Sequence, residues 1–482
     1  MTDTMRFKKV LLVSPRFFLG RNKLSLQPPA GLAYIALALS KVGIEAAVFD
    51  MNLGYHYKDL VKKIKHFKPD CIGLTAMTLG YRYFYELIDT IKKEFPEIKI
   101  VVGGAHISAL REQVLKECSA IDFGIFLEGD EAIVALCQNK DLKDIPGLIY
   151  RENGTIKKND HGGFIQNLDA LSFPKYEQFE LDKYPAKQIG IVTSRGCPYS
   201  CIYCSVIATI GKKFRYRSAT SIFEEISYWY AQGYRHIYIL DDNFTLLPDR
   251  VMQLCALLKK SGFEGLHLKC PNGIRADRVT YEILKEMRQA GFDMVAFGVE
   301  ASRNNVLKNL KKGETIEEME KSIAQACSLG FDVDLFFLLG SPGETIEDIE
   351  HSFAFAQRFP LRRAIFYNLI PLPATELLSW LQEKKYMVYP LSEILNNASY
   401  YKNTPCFFTP EISIEERKRI FEKGRAVLLT IRRRHIERKL QGPLLLRKLF
   451  SYLYTLPVVD EMIINNAFVV KIKEEIKKHA LG

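Results

Sequence analysis

The sequence predicts an α/β protein with a doubly wound parallel sheet, then a partial (β/α)6 barrel of the TIM type, and a helical C-terminal region. Two observations predict this class. Strand-like runs alternate with helical stretches through the first third of the chain, and the alternation resumes after residue 185. A length of 482 residues also exceeds one ordinary core, so we expect domains at 1–145, 186–395 and 396–482, with a linker over 146–185.

The first third contains five βα repeats, which predict a parallel sheet covered by helices on both faces. Ligands of such sheets bind at the carboxyl ends of the strands, near the point where strand order reverses. Thr75, Gly103, Gly104 and Gly129 follow strand-like runs, so the sequence predicts a site for a nucleotide-like or cofactor ligand there. Ordinary turn chemistry is the alternative for the glycines. His106 nearby is typical of a hydrogen-bonded loop residue rather than a metal ligand.

Six further strand-like runs begin at "QIGIVTS" and predict a partial barrel, whose active site should lie at the carboxyl ends of its strands. Three of the ten cysteines, Cys197, Cys201 and Cys204, stand on the loop after the first of these strands. Structural zinc would need a fourth ligand at short spacing, and none follows before His236. A disulfide would leave one cysteine over. We therefore favour a four-iron cluster with one open iron over zinc or chance clustering.

The motif "CPYSCIYC" resembles the three-cysteine signature of radical S-adenosylmethionine (radical SAM) enzymes. The segments "LDDNF", "FGVEAS" and "LLGSPGET" are similar to later strand ends of the same superfamily. The first third resembles the cobalamin-binding domain of one subclass, through "PPAGLAYIALALSKVGIEAAVFD", "PDCIGL", "VVGGAH" and "LEGDEA". The resemblance implies three cofactors, namely one [4Fe–4S] cluster, S-adenosylmethionine and cobalamin.

The resemblance also implies roles for individual residues. The three cysteines would bind the cluster, whose open iron would chelate S-adenosylmethionine, and the four strand-end residues of the first domain would contact cobalamin. Tyr203 would lie against the adenine, with a core aromatic as the alternative. Asp241, Asp242 or Asn243 would accept from the methionine ammonium, and Glu300 from the ribose hydroxyls. A structural salt bridge is the alternative for each carboxylate.

The resemblance implies chemistry in which a 5′-deoxyadenosyl radical takes hydrogen from an unactivated carbon and methylcobalamin supplies a methyl group. No Asp-x-His-x-x-Gly signature occurs in residues 1–150, so we expect no protein histidine below the cobalt. The leading hypothesis is a methyltransferase acting on a hydrophobic or lipid-linked substrate. An oxidative cyclase resembling the anaerobic magnesium-protoporphyrin monomethyl ester cyclases and a cobalamin-binding sensor without turnover remain alternatives. A methylthiotransferase is disfavoured, because Cys71, Cys118 and Cys137 fall inside strand or helix patterns.

The formal charge of +11 is concentrated near the C-terminus. Residues 417–448 carry twelve basic side chains against two acidic ones, so the remainder is nearly neutral and no nucleic-acid partner is expected. Apolar Ile420, Val427, Leu428 and Ile431 recur there at helical spacing, which is typical of a helix on an anionic membrane or of a solvated helix packed on the barrel. We expect a cytoplasmic enzyme with peripheral membrane contact through 412–450, and a flavodoxin- or ferredoxin-type electron donor.

Overall fold

The computed structural model of the chain describes residues 5–17, 26–402 and 404–456. The strands within these ranges are β1 Lys9–Ser14, β2 Glu45–Asp50, β3 Cys71–Thr75, β4 Lys99–Gly103, β5 Phe123–Ile125, β6 Leu148–Glu152, β7 Thr155–Lys158, β8 Gln188–Ile191, β9 Ser194–Arg195, β10 Arg215–Tyr216, β11 His236–Ile239, β12 His267–Ile274, β13 Phe292–Glu300, β14 Asp332–Leu339 and β15 Arg363–Asn368. They form two large sheets and one short hairpin.

Helices cover both faces of the first sheet and surround the strands of the second. Those within the described ranges are α1 Ala30–Lys41, α2 Tyr57–Phe67, α3 Tyr81–Glu94, α4 Ala105–Leu110, α5 Glu112–Glu117, α6 Asp130–Cys137, α7 Val206–Thr209, α8 Ala219–Ala231, α9 Pro248–Ser261, α10 Tyr281–Gln289, α11 Asn304–Asn309, α12 Ile316–Ser328, α13 Ile346–Gln357, α14 Glu376–Glu383, α15 Leu391–Asn396, α16 Ala398–Lys402, α17 Ile414–Lys439 and α18 Leu444–Tyr454. The helices α12, α13 and α17 begin with reciprocal capping boxes, which satisfy backbone N–H groups at their first turns.

The first sheet has the order β2-β1-β3-β4-β5-β6-β7, and its first five strands are parallel. This confirms the doubly wound α/β class that the alternating pattern predicts. Separate apolar cores cover the two faces of the sheet, so the central strands are buried on both sides. Strand order reverses between β1 and β3, which opens a crevice at the carboxyl ends of these strands.

The first sheet continues into the segment that we expected to be a linker. Strands β6 and β7 pair antiparallel and extend the sheet as far as Lys158. They are joined at Asn153 and Gly154, which both have positive φ, of 49° and 77°. Asn-Gly is the preferred sequence for such a tight hairpin, because both residues tolerate the left-handed region. The sequence therefore contained a hairpin signal within 146–185.

The second sheet has the order β8-β11-β12-β13-β14-β15 with all neighbours parallel, which is the six-stranded partial barrel that the sequence predicts. Its core is one large apolar cluster between the strands and the surrounding helices. The short hairpin of β9 and β10 follows β8 and brackets the cysteine loop. The carboxyl ends of the barrel strands and those of the first sheet contribute to one shared cavity.

The C-terminal region packs on the barrel through α17. Ile420, Val427 and Ile431 are buried, and Leu428 is half-buried. A Cβ on Gly424 would lie 3.2 Å from the Cβ of Phe366 in β15, so helix and strand approach closely. The apolar stripe of α17 thus faces the barrel, as expected for a solvated helix that packs on the barrel rather than on a membrane. No helix among the described residues combines the length and the apolar character needed to cross a bilayer.

Candidate active site

A cavity of about 350 Å³ lies between the two large sheets. All four strand-end residues predicted in the first domain line it, namely Thr75, Gly103, Gly104 and Gly129. From the barrel side, Ser194, Arg195 and Asp242 complete its wall. The structure thus brings the ligand edge of the first sheet and the cysteine side of the barrel to one space. Among the described residues that line it, there is no histidine.

The glycines of the cavity wall differ in how tightly their surroundings constrain them. Gly104 has a φ of +98°, and a Cβ there would lie 2.9 Å from the carbonyl oxygen of Ala76, so only glycine fits this turn. Gly31 in α1 also lines the cavity, and a Cβ there would meet nothing within 4 Å. The wall is therefore open at Gly31 and tightly constrained at Gly104. This arrangement lets backbone approach a large ligand closely.

The cysteine loop follows β8 and is held by backbone hydrogen bonds. The Cys197 N–H donates to the Gly211 carbonyl at 3.3 Å, and the Ile202 N–H donates to the Leu310 carbonyl at 3.1 Å. Gly196 has a φ of +87°, and a Cβ there would lie 2.3 Å from the carbonyl oxygen of Lys213. No side chain fits at this point. The loop is therefore fixed where it enters the three-cysteine motif.

Cys197, Cys201 and Cys204 are free thiols, each partly exposed. Burial, together with the nearby Cys201 thiol, raises the pKa of Cys204 to about 12. Burial also raises the pKa of Cys197 and Cys201, and Lys312 opposes this increase at Cys201. Within the described residues, no three His, Cys, Asp or Glu side chains converge closely enough to hold a single metal ion.

Arg275 supports the cysteine loop from the end of β12. Its guanidinium carbon lies 3.5 Å from the ring centroid of Tyr199, a residue of the loop between two of the cysteines. The same guanidinium pairs with Asp277 and donates to the backbone carbonyls of Lys312 and Gly313. We did not predict Arg275 from the sequence, because no spacing links it to a loop that lies more than seventy positions away.

Glu300 ends β13 with a φ of +64°, a conformation that few non-glycine residues adopt. Its Oε1 accepts from the Nζ of Lys312 at 3.2 Å, and Lys312 also lies 3.5 Å from Oε2 of Glu314. Burial opposes the charge of Lys312, yet the two carboxylates raise its pKa above the usual value. Tyr203 packs against the barrel core, and burial followed by the Glu300 carboxylate raises the pKa of its hydroxyl.

The segment after β11 contains three candidate cofactor-binding residues. The first of them, Asp241, accepts hydrogen bonds from within the protein. Its Oδ1 accepts from the N–H of Thr193 at 2.6 Å, and its Oδ2 accepts from the hydroxyls of Thr193 and Ser194 at 2.5 Å. Arg250 lies 3.8 Å away on the same carboxylate. Asp241 therefore holds the start of the cysteine loop, and its contact with the methionine ammonium stays a prediction.

Asp242 and Asn243 differ from their neighbour. Asp242 lines the cavity, and burial, reinforced by the charge of Asp241, raises its pKa to about 6. Asn243 is 1% exposed, and neither its amide nitrogen nor its amide oxygen has a hydrogen-bond partner among the described residues. An unpartnered buried amide is unfavourable unless a ligand completes it. Asn243 is therefore the strongest ligand candidate of this segment.

His106 is fully buried in α4. Its Nε2 lies 2.9 Å from the hydroxyl of Tyr85, and its ring stacks on Tyr81 with centroids 4.8 Å apart. Burial lowers its pKa to about 4, so the imidazole is neutral at ordinary pH. The residue belongs to the core of the first domain, in agreement with the non-ligand interpretation.

The side chains present fit the three cofactors that the motifs imply. Three free thiols on one constrained loop suit an iron–sulfur cluster, in which each ligated iron takes its own cysteine and the sulfurs need not meet at one point. The unpartnered Asn243 amide suits a polar ligand beside them. The open wall at Gly31 and the glycine turn at Gly104 suit a large flat ligand between the sheets.

The sequence model of the Radical SAM superfamily matches residues 191–356, and that of the B12 binding domain matches residues 19–137. A Pyrococcus horikoshii protein described as an uncharacterized methyltransferase is 32% identical over 383 residues, covering 77% of this chain and 83% of the relative. The chain belongs to the radical SAM enzymes that carry a B12-binding domain. Radical SAM enzymes of this group use a [4Fe–4S] cluster, S-adenosylmethionine and cobalamin.

Two further relatives of this radical SAM enzyme differ in their reactions. Cytidylyl-2-hydroxyethylphosphonate methyltransferase of Streptomyces wedmorensis is 27% identical, over 78% of this chain and 82% of the relative. The anaerobic magnesium-protoporphyrin IX monomethyl ester cyclase of Rubrivivax gelatinosus is 26% identical, over 78% and 70%. The radical SAM methyltransferase TsrM of Kitasatospora setae has the same fold, with a TM-score of 0.72 at 19% identity over 88% of this chain and 89% of that one.

Proposed function

We propose that this cobalamin-dependent radical SAM enzyme methylates an unactivated carbon of a hydrophobic or lipid-linked substrate. The observation that carries the proposal is the shared cavity, whose wall comes from both the B12-binding domain and the barrel. Methyl transfer needs such a space, because the methyl donor and the activated carbon have to meet without water between them. The methyltransferases of Pyrococcus horikoshii and Streptomyces wedmorensis support the same reaction class.

Each side chain has a defined part in this proposal. Cys197, Cys201 and Cys204 hold the cluster, while Asn243 and Glu300 bind the polar groups of S-adenosylmethionine. When bound, the cluster and S-adenosylmethionine supply radical chemistry, and cobalamin supplies the methyl group. Lys312 keeps the Glu300 carboxylate oriented at the end of β13. Asp241 fixes the start of the cysteine loop, and the cavity wall keeps water away from the reacting groups.

Product mass tests the proposed reaction directly. The protein is reconstituted anaerobically with iron, sulfide and hydroxocobalamin, reduced, and supplied with S-adenosylmethionine and lipid or tetrapyrrole extracts. A product heavier than its precursor by one CH₂ unit, together with 5′-deoxyadenosine, is the expected result. Formation of 5′-deoxyadenosine with a product that gained no methyl group would contradict methylation.

The second candidate function is an oxidative cyclisation, which the similarity to the Rubrivivax gelatinosus cyclase favours. Cyclisation forms a ring without adding a carbon, so the product mass separates it from methylation. A sensor without turnover would produce no 5′-deoxyadenosine in any extract. The same reconstituted sample therefore distinguishes all three functions.

We also propose that the segment 412–450 brings the enzyme to an anionic membrane, where such a substrate would be found, and that α18 makes the contact. The polar face of α18 points inward. Arg447 donates to the Glu437 carbonyl at 2.7 Å, and the Ser451 hydroxyl donates to the Glu437 carboxylate at 2.9 Å. Its apolar face is exposed, with Leu445 at 83% and Phe450 at 54%. Such a face gains free energy at a lipid interface.

Charge favours an anionic lipid as the partner. The stretch 441–456 contains Arg447 and Lys448 and no acidic residue, and the preceding α17 is rich in Arg and Lys. Basic side chains beside an apolar helix face are attracted to anionic headgroups, each contributing about 1 kcal/mol near the surface. The contact is therefore expected to be weak on neutral lipid and to decrease with salt.

Vesicle flotation of the full chain tests the membrane contact. We expect binding to vesicles of phosphatidylglycerol and phosphatidylcholine, and loss of binding in the double variant Leu445→Glu/Phe450→Glu. Tyr281→Glu is the matched control, because Tyr281 is an exposed aromatic on α10 of the barrel. Equal flotation of the double variant and the wild type would refute the contact. That result would leave the proposed methylation unaffected.

A further inference from the structure

A buried ion network joins the B12-binding domain to the cysteine loop. Arg195 lies two positions before Cys197, and its guanidinium forms two bonds to Asp130, Nη1 to Oδ2 at 2.9 Å and Nη2 to Oδ1 at 3.2 Å. The same Nη1 lies 3.0 Å from Oε1 of Glu128. A two-pronged Arg–carboxylate contact fixes both distance and orientation. We call the set Arg195, Glu128, Asp130 and Arg215 the clasp.

The clasp is balanced in charge and nearly closed to water. Arg215 of β10 also donates to Glu128, and the second oxygen of Glu128 accepts from the Ile165 N–H at 2.9 Å. The exposed fractions of the four side chains are 13%, 8%, 7% and 2% for Arg195, Glu128, Asp130 and Arg215. Two cations thus face two carboxylates. Such a group holds one geometry firmly, since each partner left alone would be a buried, uncompensated charge.

The clasp also touches the cavity. Glu128, Gly129, Asp130 and Arg195 all contribute to its wall, and the Arg195 guanidinium lies 5.1 Å from the ring centroid of Tyr34, another wall residue. Asp130 begins α6, so the carboxylates stand on the loop that presents Gly129 to the cavity. A ligand that orders this loop acts directly on two of the four clasp residues.

A short, tightly packed backbone connection joins the clasp to the cysteine motif. Gly196 is the single residue between Arg195 and Cys197, and its surroundings leave no space even for a Cβ. The Cys197 N–H is tied to Gly211, in the segment that leads to Arg215. A shift of the Arg195 backbone therefore displaces the first cysteine.

From this geometry we propose that Arg195 is a positioning residue that couples the cobalamin cavity to the cysteine loop, an inference that rests on the proposed roles of that cavity and that loop. Cobalamin in the cavity immobilises the loop that carries Glu128 and Asp130. Because these carboxylates bind the Arg195 guanidinium, the cysteine loop that follows Arg195 is immobilised as well. S-adenosylmethionine then binds tighter to the cobalamin-loaded protein than to the cobalamin-free protein. By linkage, it strengthens cobalamin binding by the same factor.

Two dissociation constants measured on cluster-loaded protein test the coupling. For the wild type, we expect S-adenosylmethionine to bind at least about fivefold tighter with hydroxocobalamin present, within the usual range of coupling between sites. In Arg195→Met the two constants become equal. Arg195→Lys should give a ratio between one and the wild-type value, because one point charge still faces the carboxylates. Asp130→Asn, which keeps the side-chain shape, also reduces the ratio and serves if Arg195→Met does not fold.

Lys92→Met is the matched control, since Lys92 pairs with Asp122 at 2.9 Å inside the first domain and away from the clasp. In this variant, the ratio of the S-adenosylmethionine dissociation constants without and with hydroxocobalamin is expected to equal that of the wild type. A wild-type ratio of one, or an unchanged ratio in both Arg195→Met and Asp130→Asn, overturns the coupling. Failure of the wild type to bind cobalamin or to assemble a cluster would instead refute the cofactor assignment on which the coupling rests.

Discussion

The Nζ of Lys312 lies 3.2 Å from Oε1 of Glu300, and both side chains are buried beside the cysteine loop. The same ammonium also lies 3.5 Å from Glu314, after α11, and Arg275 pairs with that carboxylate at 3.4 Å. Burial makes this arrangement strongly dependent on the presence of the cation. It also fixes the orientation of the Glu300 carboxylate at the end of β13.

Removal of the Lys312 charge should destabilise the protein. In Lys312→Met the buried Glu300 carboxylate loses its cation, whereas Glu314 keeps Arg275, and we expect the free energy of unfolding to fall by about 3 kcal/mol in urea denaturation. The double variant Lys312→Met/Glu300→Gln should regain part of the loss. Lys311→Met is the control, because Lys311 pairs with Glu376 at the surface and such pairs contribute about 0.5 kcal/mol. Similar losses in both single variants would contradict the buried-cation argument.

Asp241 and Asn243 should separate into a structural and a ligand-binding residue. Asp241→Ala removes an acceptor of three hydrogen bonds and should lower the free energy of unfolding by about 3 kcal/mol. Asn243→Ala removes no hydrogen bond of the described residues, and should instead weaken S-adenosylmethionine binding by about tenfold, the effect of one lost hydrogen bond. Denaturation and equilibrium dialysis measure the two effects. The assignment is wrong if Asn243→Ala binds like the wild type.

The three loop cysteines should be individually necessary for the cluster. Each of Cys197→Ser, Cys201→Ser and Cys204→Ser is expected to lower the iron content after reconstitution to less than half of the wild-type value, because a thiolate ligand is lost. Cys327→Ser is the control, since Cys327 is a partly buried free thiol on α12. Iron and sulfide analysis with EPR of the reduced samples provides the measurement. Full iron content in a loop variant would exclude that cysteine as a ligand.

Stability should depend on pH through Glu344. This carboxyl is 1% exposed, and burial raises its pKa to about 8 although the Gly340 and Ser341 N–H groups donate to it. The folded state keeps the proton where the unfolded state has lost it, so the free energy of unfolding decreases between about pH 4.5 and pH 8. Above this range the full effect is roughly 5 kcal/mol.

Glu344→Gln tests this pH dependence. The amide oxygen can still accept from both N–H groups, and the side chain no longer ionises. We expect a flatter pH profile of unfolding than in the wild type, with the largest relative gain above pH 8. Glu347→Gln, at an exposed position in the first turn of the following α13, should keep the wild-type profile. Parallel profiles for the wild type and Glu344→Gln would contradict the role of Glu344.

Two glycines of the cavity wall, Gly104 and Gly31, should respond differently to alanine. Gly104→Ala places a Cβ at a φ of +98° and 2.9 Å from a backbone oxygen, and should lower the free energy of unfolding by about 2 kcal/mol. Gly31→Ala meets no atom and should leave stability unchanged or slightly higher, since alanine favours a helix. Thermal unfolding of the two variants provides the comparison. Equal stability of both would show that the turn at Gly104 accepts a side chain.

The fold was largely predictable, because hydrophobic alternation and turn residues are local properties of the chain. The cysteine motif and the strand-end residues of the first domain were predictable for the same reason. Strand β7 was missed although Asn153 and Gly154 signal a hairpin, since low periodicity in the surrounding residues favoured a linker.

The remaining site residues depend on contacts that a sequence does not display. Asp241 appeared equivalent to Asp242 until its hydrogen bonds to Thr193, 48 positions away, were visible. The pairing of Arg195 with Glu128 spans 67 positions, and the motif "LEGDEA", which contains Glu128, does not reveal this partner. Lys312 stands beside the exposed Lys311, and only the packing of the barrel distinguishes the two.

The burial of the clasp has a consequence for ionic strength. Screening by salt acts on charges that water surrounds, and the four clasp side chains are at most 13% exposed, whereas Lys448 of α18 is exposed. High salt should therefore detach the enzyme from anionic vesicles while its two domains stay docked. The contact between the domains persists under conditions that release the protein from lipid, so one salt titration separates the two kinds of attachment.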